Sequence, residues 1–175
     1  MDNLATILGI ALLEKVDRRI LVSYNENGSL REPQAQREFE QKILALLNGL
    51  YQKSEGETHV LTIEGLLIVV NIYSDFYLLI VAEERENEIV LADLLATIHS
   101  AALVFCGKEI NTKLVYRFYP QLALLLNEAF DNGLILTTSS TDLVGRVLMR
   151  DSKGSKGPFT PNQKGSMMSF FNFNG

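Results

Sequence analysis

The chain has 175 residues, 47% of them hydrophobic and 21% charged, with a formal net charge of −5. That suits one globular domain with a tail and is too apolar for a disordered chain. A single cysteine, Cys106, excludes a disulfide framework and any CxxC-type metal or redox site, and the acidic balance argues against bulk nucleic-acid binding.

Ala5–Leu13 reads as a buried first strand. The apolar run from Leu4 has signal-peptide length, but Asp2 precedes it and no Ala-x-Ala spacing follows, so a cytosolic, reduced protein is expected. Glu14–Asp17 is a polar turn and Arg19–Tyr24 a second strand, which makes a hairpin. Asn25–Ser29 is a turn cluster, and its Asn27-Gly28-Ser29 sequon is read as a turn. Pro33 opens a helix whose apolar face is Phe39, Ile43, Leu46, Leu47 and Leu50, with Gln, Arg and Glu outside. Ser54–Glu57 ends it. Thr58–Ile63, Leu66–Tyr73 and Phe76–Ala82 follow as three strands joined by Glu64-Gly65 and Ser74-Asp75, gaps short enough for antiparallel hairpins. The last two are nearly all apolar and belong at the centre of a sheet covered on both faces.

Glu88–Cys106 is the second long helix, with Leu91, Leu94, Leu95, Ile98, Ala102 and Phe105 on one face and Gly107 just past its end. Its apolar stretch, Ile89–Phe105, is interrupted by Asp93 and His99 and is shorter than a bilayer requires. A third helix spans Asn111–Asp131, and Pro120 inside it clashes with the carbonyl of Tyr116, so a kink or a break is expected. Leu134–Thr138 is extended and Ser140–Met149 is a last short helix. The order β-β-α-β-β-β-α-α plus a short helix gives an α+β fold, one five-stranded antiparallel sheet between helices. The division expected is a body over 1–150 and a Gly/Ser/Lys-rich tail over 151–175. The tail carries a net +2, which leaves −7 on the body, so anionic lipids repel the body and it needs a partner to reach a membrane.

Sites for chemistry are missing. His59 and His99 have no metal-ligand spacing between them, and both are read as structural or surface residues. Cys106 sits at an apolar helix C-terminus, where its thiolate is disfavoured, and is read as core. Gly107-Lys108 lacks the earlier glycine and the following Ser or Thr of a phosphate loop. The acidic run Glu83–Glu88 precedes a helix, whose dipole favours it there. No catalytic, cofactor-binding or metal-binding residue is assigned. Met167, Met168, Phe170, Phe171 and Phe173 fit either a short docking motif or an apolar end packed on the body.

Specific stretches then meet this element order. They are Asp17–Tyr24, Gln36–Lys42, Glu64-Gly65-Leu66, Ser74–Tyr77, Glu86–Leu91, Asn127–Leu136 and Gly145–Arg150. Across residues 5–150 the chain resembles the small subunits of vesicle coats, which have the longin-type fold, and among them the coatomer zeta subunits. Glu64-Gly65-Leu66 and Arg146–Arg150 favour zeta over the sigma subunits of clathrin adaptors, which share the Asn-Glu-hydrophobic start of the second helix. Pro120, Cys106-Gly107-Lys108 and the Phe-rich tail depart from the family pattern. The resemblance implies a non-catalytic structural subunit that binds no cofactor, nucleic acid or small-molecule substrate. It implies pairing with the trunk of the large gamma subunit inside the heptameric COPI coat, which an Arf-type small GTPase recruits to the cytosolic face of Golgi membranes for Golgi-to-ER and intra-Golgi transport. Two other readings stay open: a sigma-type adaptor subunit, and a longin regulatory domain of SNARE or GTPase-exchange assemblies.

Overall fold

A computed structural model describes residues 7–16, 18–50 and 56–154. The start of the expected first strand and the Met167–Phe173 cluster lie outside the described residues.

Five segments form one antiparallel sheet: β1 (Ile7–Glu14), β2 (Arg18–Tyr24), β3 (Thr58–Ile63), β4 (Leu66–Ile72) and β5 (Phe76–Glu83). Their spatial order is β2-β1-β5-β4-β3. β5, apolar from Phe76 to Ala82, takes the centre and β4 lies inside the edge, because only positions covered on both faces accommodate such runs. The β3–β4 turn is Glu64-Gly65 with φ of 52° and 76°, the double left-handed turn that matches the twist of a two-residue hairpin.

Side chains alternate across this sheet. Leu13, Ile68, Val70, Tyr77, Leu79 and Val81 pack on one face against Phe39, Ile43, Leu44 and Leu47 of α1 (Pro33–Leu50). The opposite face, with Ile10, Leu12, Val69, Leu78 and Ile80, is covered by α2 (Glu88–Cys106), α4 (Tyr119–Ala129) and α5 (Ser140–Gly154). α2 starts at Asn87, whose side chain accepts the Ile89 N–H, and ends at Gly107, held at φ 94° and ψ −132°, a conformation open to glycine rather than the left-handed helical cap expected. At 19 residues α2 is long and apolar enough to cross a membrane, so length does not exclude a span as the sequence reading had it. Its packing assigns it to the core: Leu91, Leu94, Leu95, Ile98 and Ala101 are buried under the sheet.

The expected third helix is two helices. α3 (Thr112–Arg117) stops at Phe118, and α4 begins at Tyr119 with Pro120 in its first turn, where no intrahelical N–H is needed. α4 also ends earlier than expected, at Ala129. Phe130-Asp131 (β6) and Leu134-Ile135 (β7) pair as a small hairpin around Asn132-Gly133, whose φ values of 47° and 85° again make a two-residue left-handed turn. The extended piece after it is therefore shorter than Leu134–Thr138. α5 runs to Gly154, past the change of composition at residue 151.

Candidate interaction surfaces

Three buried carboxylates fix the helices and the strand ends, and each is tied down by a partner distant in sequence. Glu40 sits on the inner face of α1, 6% exposed, whereas the sequence reading left every Glu of that helix outside. Its oxygens take two bonds from the Arg19 guanidinium, at 2.8 and 3.0 Å, and one from the Tyr24 hydroxyl at 2.8 Å. A buried charge persists only when paired and hydrogen-bonded in this way. Burial, then the Glu40 carboxylate, pushes the Tyr24 phenol well above its ordinary pKa. The Tyr24 ring in turn lies on Gly9, where an added Cβ would stand 2.3 Å from its Cδ1. Glu14, expected in a turn, is instead the last residue of β1, buried, and accepts the Tyr116 hydroxyl at 2.9 Å. Glu128 of α4 is buried beside Arg150 of α5, 2.6 Å away.

His59 lies apart from His99 and Cys106, which both neighbour Tyr73. His99 on α2 meets the Tyr73 hydroxyl through Nδ1, and the Tyr73 ring stacks on Phe76 at 4.3 Å. Burial lowers the pKa of His99, pushes Tyr73 up to about 12 and pushes the Cys106 thiol up to about 11. A thiol so placed is held protonated at neutral pH and is a poor nucleophile. His59 lies on edge strand β3, with Nε2 3.0 Å from a Glu57 oxygen. The acidic run leads from the end of β5 into α2, and Glu83 pairs with Arg85 at 2.8 Å. Among the described residues no group of three His, Cys, Asp or Glu side chains is placed to hold a metal ion.

Two surface features remain. A polar cleft of about 450 Å³ opens between the end of β2 and the β6–β7 hairpin, lined by Ser23, Glu26, Asn127, Glu128, Asp131 and Arg150 among others. The outward stripe of α2 is the second. Ile89 is 68% and Val104 49% exposed, with Val90 beside them and Asp93, Ala96 and Ser100 exposed between. Sequence reasoning missed the roles of Gly9, Glu14, Glu40 and Glu128. For Glu40 a signal existed: Glu40, Ile43, Leu44 and Leu47 stand at i, i+3, i+4 and i+7, the pattern of a buried helix face.

Comparison with known proteins places this geometry. The family model for the clathrin adaptor complex small chain matches residues 11–154. Coatomer subunit zeta of Saccharomyces cerevisiae is 28% identical, over 83% of this chain and 78% of that protein. Coatomer subunit zeta-3 of Arabidopsis thaliana is 22% identical, over 88% of this chain and 83% of that protein. Coatomer subunit zeta-2 of Mus musculus is 24% identical, over 85% and 69%. Among solved structures, a chain of a homology model of the full-length AP-3 complex aligns with a TM-score of 0.59 at 17% identity, covering 84% of this chain and 94% of that one. This likeness establishes the fold, the α+β longin-like arrangement expected from the sequence.

Proposed function

The chain belongs to the clathrin adaptor complex small-chain family, and on that premise we propose that it is the zeta-type small subunit of a coatomer coat. In this reading it is a non-catalytic structural part. It pairs permanently with the trunk of the large gamma subunit within the heptameric COPI coat and reaches the cytosolic face of Golgi membranes through that coat and an Arf-type small GTPase. Its role is then Golgi-to-ER and intra-Golgi transport, with residues 1–150 plus the end of α5 as the folded subunit and the remainder as an appendage.

The observation that carries the reading is similarity over more than four fifths of the chain to relatives named coatomer subunit zeta. The α2 stripe supports it, because an apolar helix face left uncovered on a small domain suits a permanent partner. Co-expression with a gamma-subunit trunk tests it. A soluble one-to-one complex is expected, and Ile89→Asp with Val104→Asp should release the large chain while leaving the circular dichroism of the small one unchanged. Capture of adaptin large chains in preference to the gamma trunk, or no capture of either, would overturn the reading.

A further inference from the structure

The charges of this domain are sorted along the strands. β1 is eight residues long, so its ends stand about 24 Å apart. At the Ile7 end, Ile7 opposes Ala82 and its N–H donates to the Gly133 carbonyl. That end therefore holds the run Glu83–Glu88 and the acidic cleft residues Glu26 and Asp131. At the other end Glu14 opposes Phe76. There the Lys15 N–H donates to the Asp75 carbonyl at 3.0 Å, the Asp75 carboxylate accepts the Thr112 N–H at 2.9 Å, and Tyr116 donates to Glu14. These bonds gather the β1–β2 turn, the β4–β5 turn and α3 into one surface.

That surface carries Lys15, Lys108, Lys113 and Arg117. Among the described residues none of these four forms an ion pair, whereas Arg19, Arg31, Lys42, Arg85 and Arg150 each hold a carboxylate. Three carboxylates share this end, and their hydrogen bonds come from neutral donors, Tyr116 to Glu14, the Thr112 N–H to Asp75 and Asn111 to Glu109, so they keep their charge and the seven groups leave this end with a net charge of +1 beside the acidic remainder of the body. Lys15 lies over the Tyr77 ring at 5.2 Å and Arg117 over the Phe118 ring at 5.5 Å, contacts that leave their charge unneutralised, and exposed apolar side chains stand among the four cations. Val16, at the tip of the β1–β2 turn, is 79% exposed, and Tyr116, bonded to Glu14 at the end of β1, and Tyr119 in the first turn of α4 are exposed as well.

We propose that this end of the domain rests on an anionic membrane surface. Cations interleaved with a projecting apolar tip and amphipathic tyrosines match the headgroup layer, which attracts Lys and Arg and admits Tyr at its boundary. The acidic end, with its net repulsion, then points away from the lipid, so the charge of the whole body orients it rather than preventing contact. A membrane is favoured over an acidic peptide because the cations accompany a projecting turn, while the cleft of about 450 Å³ described above lies at the opposite, acidic end. The coat reading enters only as the means by which the domain is brought near a bilayer.

The test uses the full chain, tethered to nickel-lipid vesicles through a histidine tag added after Gly175, with an environment-sensitive fluorophore at position 16 (Val16→Cys) or position 132 (Asn132→Cys). On phosphatidylcholine vesicles with about one third phosphatidylserine, the probe at 16 should shift to the blue and lose that shift in high salt. Lys113→Glu with Arg117→Glu should abolish the shift, and the probe at 132 should stay in water. No shift at 16, an equal shift at both positions, or the same shift without phosphatidylserine overturns the inference. Binding of soluble polyglutamate with the same dependence on Lys113 and Arg117, and no response to vesicles, would assign the surface to an acidic protein instead. Capture of the gamma trunk by the Lys113→Glu, Arg117→Glu chain is read separately, so failure here and failure of the coat reading are distinguishable.

Discussion

Gly9→Ala probes how α1 is held to the sheet. Gly9 lies beside a register shift in β1 and opposite Tyr24 on β2, and its φ is not positive, so alanine meets no backbone penalty there. The obstacle is space. The new Cβ would stand 2.3 and 2.8 Å from Cδ1 and Cε1 of the Tyr24 ring and 3.0 Å from the Ser23 carbonyl oxygen. The ring must move, and its hydroxyl then leaves Glu40, now 2.8 Å away. Overpacking costs about 1–3 kcal/mol, and loss of a hydrogen bond to a buried charge about 1.5–3 kcal/mol. The smaller conformational entropy of alanine in the unfolded chain returns about 0.4–1 kcal/mol. The expected loss is about 1.5–5.5 kcal/mol, read from the midpoint of urea unfolding at unchanged slope. With Tyr24→Ser in the background the collision is gone, and Gly9→Ala should fall within about 1 kcal/mol of neutral, its residue being the tight Ser23 carbonyl. A loss under about 0.5 kcal/mol in the parent chain, or the same loss in both backgrounds, would refute the clamp.

Ile98, 2% exposed under the sheet, should cost about 2–5 kcal/mol when cut to alanine, and a surface-like change in the melting temperature would place α2 wrongly. His99 predicts a pH dependence. Burial lowers its pKa in the folded chain, so on acidification the unfolded chain takes the proton first. Its stabilisation is complete above the unfolded value of about 6.5 and is lost as pH falls through the folded one. The melting temperature should decline more between pH 7 and pH 5 in the parent than in His99→Gln, and parallel curves would discard the assignment.

The sheet was legible because its signals are local. Short apolar runs, the two-residue gaps between them and Glu64-Gly65 fix the five strands and their hairpins within a few residues, whereas the small hairpin at Asn132-Gly133 was hidden because Phe130-Asp131 continued a helical pattern. Pro120 broke its helix for a reason equally local, the carbonyl four residues back. What the sequence did not yield depends on partners far along the chain. Glu40 is inside because Arg19 and Tyr24 are there to receive it, 21 and 16 residues away. Glu14 is a strand residue because Tyr116, 102 residues on, covers it. A rule that places Glu outside is right on average and fails where a distant donor compensates. The surfaces were the least legible. The inner face read for α2 is borne out, with Leu91, Leu94, Leu95, Ile98, Ala102 and Phe105 all buried, but an almost uniformly apolar helix gives no sign that Ile89 and Val104 on its other side form a surface.

That uniformity bears on assembly. A helix with a sharp polar face would leave nothing for a partner, while one uniformly apolar and fully exposed would aggregate. α2 lies between these cases: its inner side is buried and its outer side separates the pair Ile89 and Val90 from Val104 with Asp93, Ala96 and Ser100. The small residues leave room for another helix to approach, and Asp93 discourages self-association of a face that is otherwise apolar. The polar clamps matter here for rigidity. Glu40 ties α1 to β2, Glu14 ties α3 to β1, and Glu128 ties α5 to α4. A partner that covers α2 therefore meets a scaffold whose layers are already fixed, and little ordering is left to oppose its binding.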